Sequence, residues 1–207
     1  MAPRRPVGHE ARSREPRSRE PPAVSGRPSA VDLAAVTAQL GRPVRDVVAV
    51  AHRCACGLPD VVATAPRLRD GTPFPTTFYL TCPRAASAVG TLEAGGLMAE
   101  MTRRLADDPD LAAAYRAAHE DYLHRRDEVG AAAGVGDVPQ IAGVSAGGMP
   151  TRVKCLHALV GHALAAGPGV NPLGDEALDV VRGWWSEGPC VDAPAAGPST
   201  ADPQGAV

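Results

Sequence analysis

The chain has no apolar run approaching the length of a bilayer span, so no transmembrane helix is expected. Arg4 and Arg5 are not followed by an apolar stretch, which removes the reading of a twin-arginine export signal. Lysine is almost missing: Lys154 stands alone among 21 basic residues. Aromatics are 3% of the chain, and residues 1–28 contain none. That absence, with glutamates interleaved among the arginines of 1–28, argues against nucleic acid as a partner. Also missing are a Walker loop, a dinucleotide fingerprint, a Ser-His-Asp order and paired carboxylates at a telling spacing. Enzyme status is therefore open.

Five cysteines are present in 207 residues. The expectation is a cytoplasmic protein with reduced thiols, so they read as free thiols or metal ligands rather than disulfides. Residues 1–28 hold seven arginines, three glutamates and almost nothing apolar, and cannot offset their ordering entropy by burial. Residues 188–207 are Pro-, Gly- and Ala-rich without periodicity. Both are expected to be disordered tails around a single domain at 29–187. The net charge of −2 hides a basic N-terminal tail and an acidic remainder.

Ser29 and Asp32 form a capping pair before a helix that carries Leu33, Val36 and Leu40 on one face and ends at Gly41. Three strands follow, at 44–54, 61–66 and 76–82, with Val48, Val50, His52 and Cys54 alternating onto one face of the first. Helices are expected at 84–94 and 97–106. A long helix begins after Asp108-Pro109, with a stripe of Leu111, Tyr115, Ala118 and Tyr122 and an Asp121–Arg125 pair on its flank. Residues 130–149 read as a glycine-rich loop, 149–167 as a helix, and 170–185 as holding the last. Strands first and helices after predict an α+β fold: a small antiparallel three-stranded sheet packed against about five helices.

Two groups of residues carry chemistry. A meander places the ends of the first and third strands at one edge of the sheet, which brings Cys54 and Cys56 toward Cys82. With Cys155 these make a donor set for zinc or an iron–sulfur cluster. His52, His157 and His162 are substitutes for the fourth ligand. If 149–167 is helical, Cys155 and His157 lie about 200° apart around the axis, so only one can join. Inert buried thiols are the alternative. Cys190, in the tail, is left out.

The second group is SAGGMPTRVKCLH, residues 145–157. Gly147 and Gly148 lead into a helix whose first turn would carry Arg152 and Lys154. Cations there oppose the helix dipole, and a bound phosphate or carboxylate would resolve the conflict. Arg67 and Arg69 could contribute. Salt bridges to Asp175 or Glu176 are the alternative, and His157 reads as a satisfied core histidine.

HRCACGLPDVV, TAPRLRDGTPFPTTFYLTCP, LEAGGLMAEMTRRL and GGMPTRVKCLHALVGHALAAGPGVNPLGDEAL, in this order, resemble one bacterial family, catalogued as domain of unknown function five hundred and one. The resemblance spans about 30–183. It implies a short cytoplasmic protein, and it transfers no catalytic residue. The reading at this point is a domain that binds a small anionic ligand near 145–157. A cysteine-bound zinc or iron–sulfur site and an interaction protein without small ligand are the alternatives.

Overall fold

A computed structural model describes residues 26–192; most of the tails expected at 1–28 and 188–207 lie outside the described residues. Within them the chain forms strands β1 (Val47–Arg53), β2 (Pro59–Thr64) and β3 (Phe78–Leu80) and helices α1 (Ala30–Leu40), α2 (Pro83–Ala94), α3 (Leu97–Asp107), α4 (Pro109–Ala132), α5 (Leu156–Ala166) and α6 (Pro172–Val180). The sheet is an antiparallel meander in the order β1-β2-β3, so the fold is α+β. No helix among the described residues is long and apolar enough to cross a membrane.

The first helix starts where its cap demands. The Ser29 hydroxyl accepts the Asp32 N–H, and the Asp32 carboxylate accepts the Ser29 N–H, which satisfies two donors that a helix start leaves bare. Asp32 also receives both Arg53 guanidinium nitrogens, at 2.7 and 3.0 Å, and so ties α1 to the end of β1. Strand β2 is central and buried along its whole length. Strand β1 departs from simple alternation. Its register slips between Val47 and Ala49 and again between Val50 and His52, so the neighbours Ala49 and Val50 are both buried.

Helix α5 is apolar on nearly every side and lies in the core, with Leu156, Leu159 and Val160 fully buried. Two glycines allow its close packing. A Cβ on Gly161 would stand 2.8 Å from the Phe78 carbonyl oxygen of β3. One on Gly174, in α6, would stand 2.5 Å from the Leu159 carbonyl oxygen. Helix α4 buries Tyr115, Ala118 and Tyr122 as the periodicity requires. The Tyr122 hydroxyl donates to the Pro75 carbonyl and accepts the Thr77 N–H, fixing the chain as it enters β3.

The buried histidine of the core is His162, not His157. Its Nε2–H donates to Asp121 at 2.8 Å, and its Nδ1 accepts from the Asn171 amide at 3.2 Å. Asp121 also takes Arg125 at 2.7 Å, the expected i,i+4 pair. Both ring nitrogens are thereby satisfied, which is what a fully buried polar ring needs.

Several bounds differ from the pattern: β1 and β3 are shorter than the expected 44–54 and 76–82, β2 runs over 59–64 rather than 61–66, and two helices differ as well. Helix α4 continues through Gly130 to Ala132. The helix expected over 149–167 starts only at Leu156. Pro150 disfavours helical backbone at Met149 and offers no N–H, and Cys155 is extended at φ −156°, ψ 112°.

Close packing at α5 makes a signed prediction. Gly161→Ala and Gly174→Ala should each destabilise the domain by about 1–3 kcal/mol in denaturant unfolding. Gly90→Ala, in α2 with nothing within 4 Å of the added methyl, should stabilise it by about 0.5–1 kcal/mol. The Arg53 guanidinium holds the Asp32 carboxyl down at about 2 from its ordinary 3.8. A depressed carboxyl stabilises the fold above its unfolded value and loses that contribution as pH falls from about 4 toward 2. Arg53→Ala should remove roughly 1 kcal/mol at neutral pH and flatten the acid limb of a pH–stability curve.

Candidate functional site

The segment between α4 and α5 is held by its backbone, and this decides which side chains it offers. The Val153 N–H donates to the Thr102 hydroxyl of α3, and the Tyr115 hydroxyl of α4 donates to the Arg152 carbonyl. Val153 is buried while Arg152 and Lys154 on either side are exposed. The buried valine anchors the segment and leaves the cations on either side of it at the surface. Gly148 makes the turn possible: its φ is +92°, and a Cβ there would lie 2.7 Å from the Arg152 carbonyl oxygen. Gly147 is also left-handed, at φ +74°. Their carbonyls accept the Arg152 and Lys154 N–H groups, so those two donors serve the loop rather than a ligand.

Arg152, Lys154, Gly147 and Gly148 line one cavity of about 620 Å³ beside Pro75–Leu80. Neither cation has a salt-bridge partner among the described residues. The expected alternative partners are engaged elsewhere: Glu176 takes Arg104 in a two-toothed pair, and Asp175 accepts the Gly169 N–H. Arg67 and Arg69 are not at this site. They line a second cavity beside Asp46 and Val47, where Arg67 donates to the Gly71 carbonyl and Gln140, and Arg69 pairs with Asp46 at 3.2 Å.

Cys155 and His157 also face the 620 Å³ cavity. The expected exclusion of one by the other fails because Cys155 precedes the helix, so helical rotation does not separate it from His157. Glu93, the penultimate residue of α2, completes the group. Its Oε1 accepts the Leu156 N–H at 2.6 Å and the His157 Nδ1–H at 3.1 Å, while His157 Nε2–H donates to the Ala86 carbonyl at 3.0 Å. The carboxylate thus takes the anion's place at the start of α5. The Cys155 thiol beside it, with Glu93, raises the His157 imidazole from 6.5 to about 9 against the opposing effect of burial. Burial would raise the Glu93 carboxyl, but its bonds to His157 and Leu156 hold it below its ordinary value.

The four-cysteine metal set is not assembled. All five cysteines are free thiols: Cys54 neighbours Cys56, Cys82 neighbours Cys190, and Cys155 stands with Glu93 and His157. A middle strand separates the ends of β1 and β3, and the donors that do gather within 4.8 Å among the described residues are Glu93, Cys155 and His157. Burial raises the Cys54 thiol and pushes Cys82 up to about 12, which disfavours the thiolates a metal needs. His52, the proposed substitute, bonds the buried Asp60 at 2.7 Å. Cys190 is no bystander, because it accepts a hydrogen bond from Gln39 at 3.3 Å.

Glu93 is the residue that sequence reasoning passed over. A sign of it was present: a carboxylate in the last turn of a helix opposes the dipole there and needs a partner elsewhere. His119 was also passed over; its Nδ1 meets the Ser145 hydroxyl at 2.8 Å behind the cavity wall.

The fold and site define a small α+β domain in which a cationic glycine loop feeds a core helix. Residues 50–179 match the family described as Protein of unknown function (DUF501), and the chain belongs to that family. No curated protein and no solved structure matches it.

The interhelix role of Glu93 is open to test. Glu93→Ala should destabilise the domain by about 2 kcal/mol in thermal or urea unfolding, since it strips the cap from α5 and the partner from His157.

Proposed function

We propose that this domain binds a small anionic ligand, one bearing phosphate or carboxylate, in the cavity between the chain at 75–80 and the loop at 144–158. The observation that carries the reading is the pair Arg152 and Lys154, exposed on one cavity wall without a salt-bridge partner among the described residues. A volume of about 620 Å³ suits a small molecule rather than a macromolecular surface. Recognition falls to the two side chains. The backbone N–H groups of 152 and 154 are taken by the glycine carbonyls, and Glu93 already occupies the N–H of Leu156. Arginine supplies a planar fork for two anionic oxygens, and lysine a mobile point charge. The apolar share of the wall, Phe78, Leu80 and Ala158, would cover the ligand's carbon part.

Thermal shift against inorganic phosphate, nucleotides and small dicarboxylates tests this reading. A ligand at a hundredfold excess over its Kd should add about 2.7 kcal/mol, which moves the midpoint by about 5–10 °C. Arg152→Ala and Lys154→Ala should each remove most of that shift, whereas Arg69→Ala should leave it. Failure of every anion to stabilise the wild-type protein would contradict the reading and favour an interaction protein without a small ligand.

A further inference from the structure

Among the described residues one set of three or more metal-ligating side chains has its donor atoms within 4.8 Å of one another: Glu93, Cys155 and His157. The set comes from three places, the end of α2, the residue before α5 and the first turn of α5. Its donors are chemically mixed, one carboxylate oxygen, one sulfur and one imidazole nitrogen. That mixture suits zinc and its neighbours and does not suit magnesium or calcium, which take oxygen donors.

The geometry agrees with the chemistry. Glu93 Oε1 and His157 Nδ1 are 3.1 Å apart. Zinc with oxygen and nitrogen ligands at about 2.0–2.1 Å holds two such donors about 3.3 Å apart at a tetrahedral edge. His157 is also oriented as a ligating histidine is. Its far nitrogen, Nε2, donates to the Ala86 carbonyl at 3.0 Å, which keeps a proton on Nε2 and makes Nδ1, once it gives up the proton it shares with Glu93, the ligating nitrogen. The carboxylate is likewise oriented, by the Leu156 N–H at 2.6 Å. Both hydrogen bonds that reach Glu93 fall on Oε1, and Oε2 accepts none among the described residues. A second carboxylate oxygen is thus on hand for the ion.

We infer that Glu93, Cys155 and His157 form a three-ligand site for a zinc-class divalent cation, with its fourth position open to the cavity that Arg152 and Lys154 flank. Cys155 and His157 both line that cavity, so the open position faces it. On binding, the Cys155 thiol and the His157 Nδ1 each release a proton to solvent, and sulfur and nitrogen donate their lone pairs to the cation. Three protein ligands with one open position is the arrangement of reactive rather than purely structural zinc. An anionic oxygen held by Arg152 and Lys154 would be a suitable fourth ligand. The inference stands on the three donors alone and does not depend on the anion reading.

Titration of the chelator-treated full chain with cobalt(II) tests it. One equivalent should produce thiolate-to-cobalt charge-transfer absorption and the intense visible bands of tetrahedral cobalt, displaced by zinc. Both should vanish in Cys155→Ser and weaken strongly in His157→Ala, and both should persist in Cys54→Ser and Cys82→Ser. Absence of saturable binding, or a charge-transfer band that survives Cys155→Ser, would overturn the inference. A second readout needs no variant: one equivalent of zinc should slow alkylation of Cys155 by iodoacetamide at least tenfold, read by peptide mass spectrometry. Unchanged labelling of Cys155 under saturating zinc would equally overturn it.

Discussion

One carboxylate joins the two ends that matter most. Glu93 sits where the dipole of α2 disfavours a negative charge, and it reaches the start of α5, where the dipole favours one. Within the same side chain it holds the Leu156 N–H and the His157 ring. The end of α2 is thereby tied to the start of α5. The cavity follows from this. Cys155 and His157 look into it because α5 begins where Glu93 caps it, and Arg152 and Lys154 flank it because the Gly147 and Gly148 carbonyls hold the chain just before that cap.

The rest of the core supports that clasp. Gly161 lets α5 lie against the Phe78 carbonyl, and Gly174 lets α6 lie against α5, so α5 is packed closely on two sides. The buried His162, with Asp121 and Asn171, ties the far side of α5 to α4 and to the cap of α6. A fully satisfied polar network of this kind costs little and specifies one arrangement, since any shift would strand a buried donor or acceptor. A rigid helix start is what a binding or metal site needs in order to hold donors within a few tenths of an ångström.

The architecture was legible because local signals agreed. Ser29 and Asp32 mark the first cap, Asp108 and Pro109 the start of α4, and the valine-rich runs the strands. At the site, Arg152, Lys154, Gly147, Gly148, Cys155 and His157 were all legible as candidates, and all six line one cavity. Their relations were harder to read. Pro150 and the extended Cys155 delay α5 to Leu156, and a helix drawn from Met149 places Cys155 and His157 on opposite faces. Glu93 at a helix end signals the need for a partner, but that partner lies across 63 residues of chain, and no local pattern identifies it. The thiols misled for the opposite reason. Shared placement at one end of a sheet is necessary for a chelate and not sufficient, and each thiol of the expected set settled with a nearer neighbour.

The central claim is that the Glu93 carboxylate caps α5. Amide hydrogen exchange at Leu156 reads this most directly, because an N1 amide has no partner inside its own helix. The Leu156 amide should be protected in the native protein, and Glu93→Ala should lose that protection selectively, with amides in the middle of α4 little changed. Free exchange of the Leu156 amide in the native protein, or protection that survives Glu93→Ala, would contradict the account.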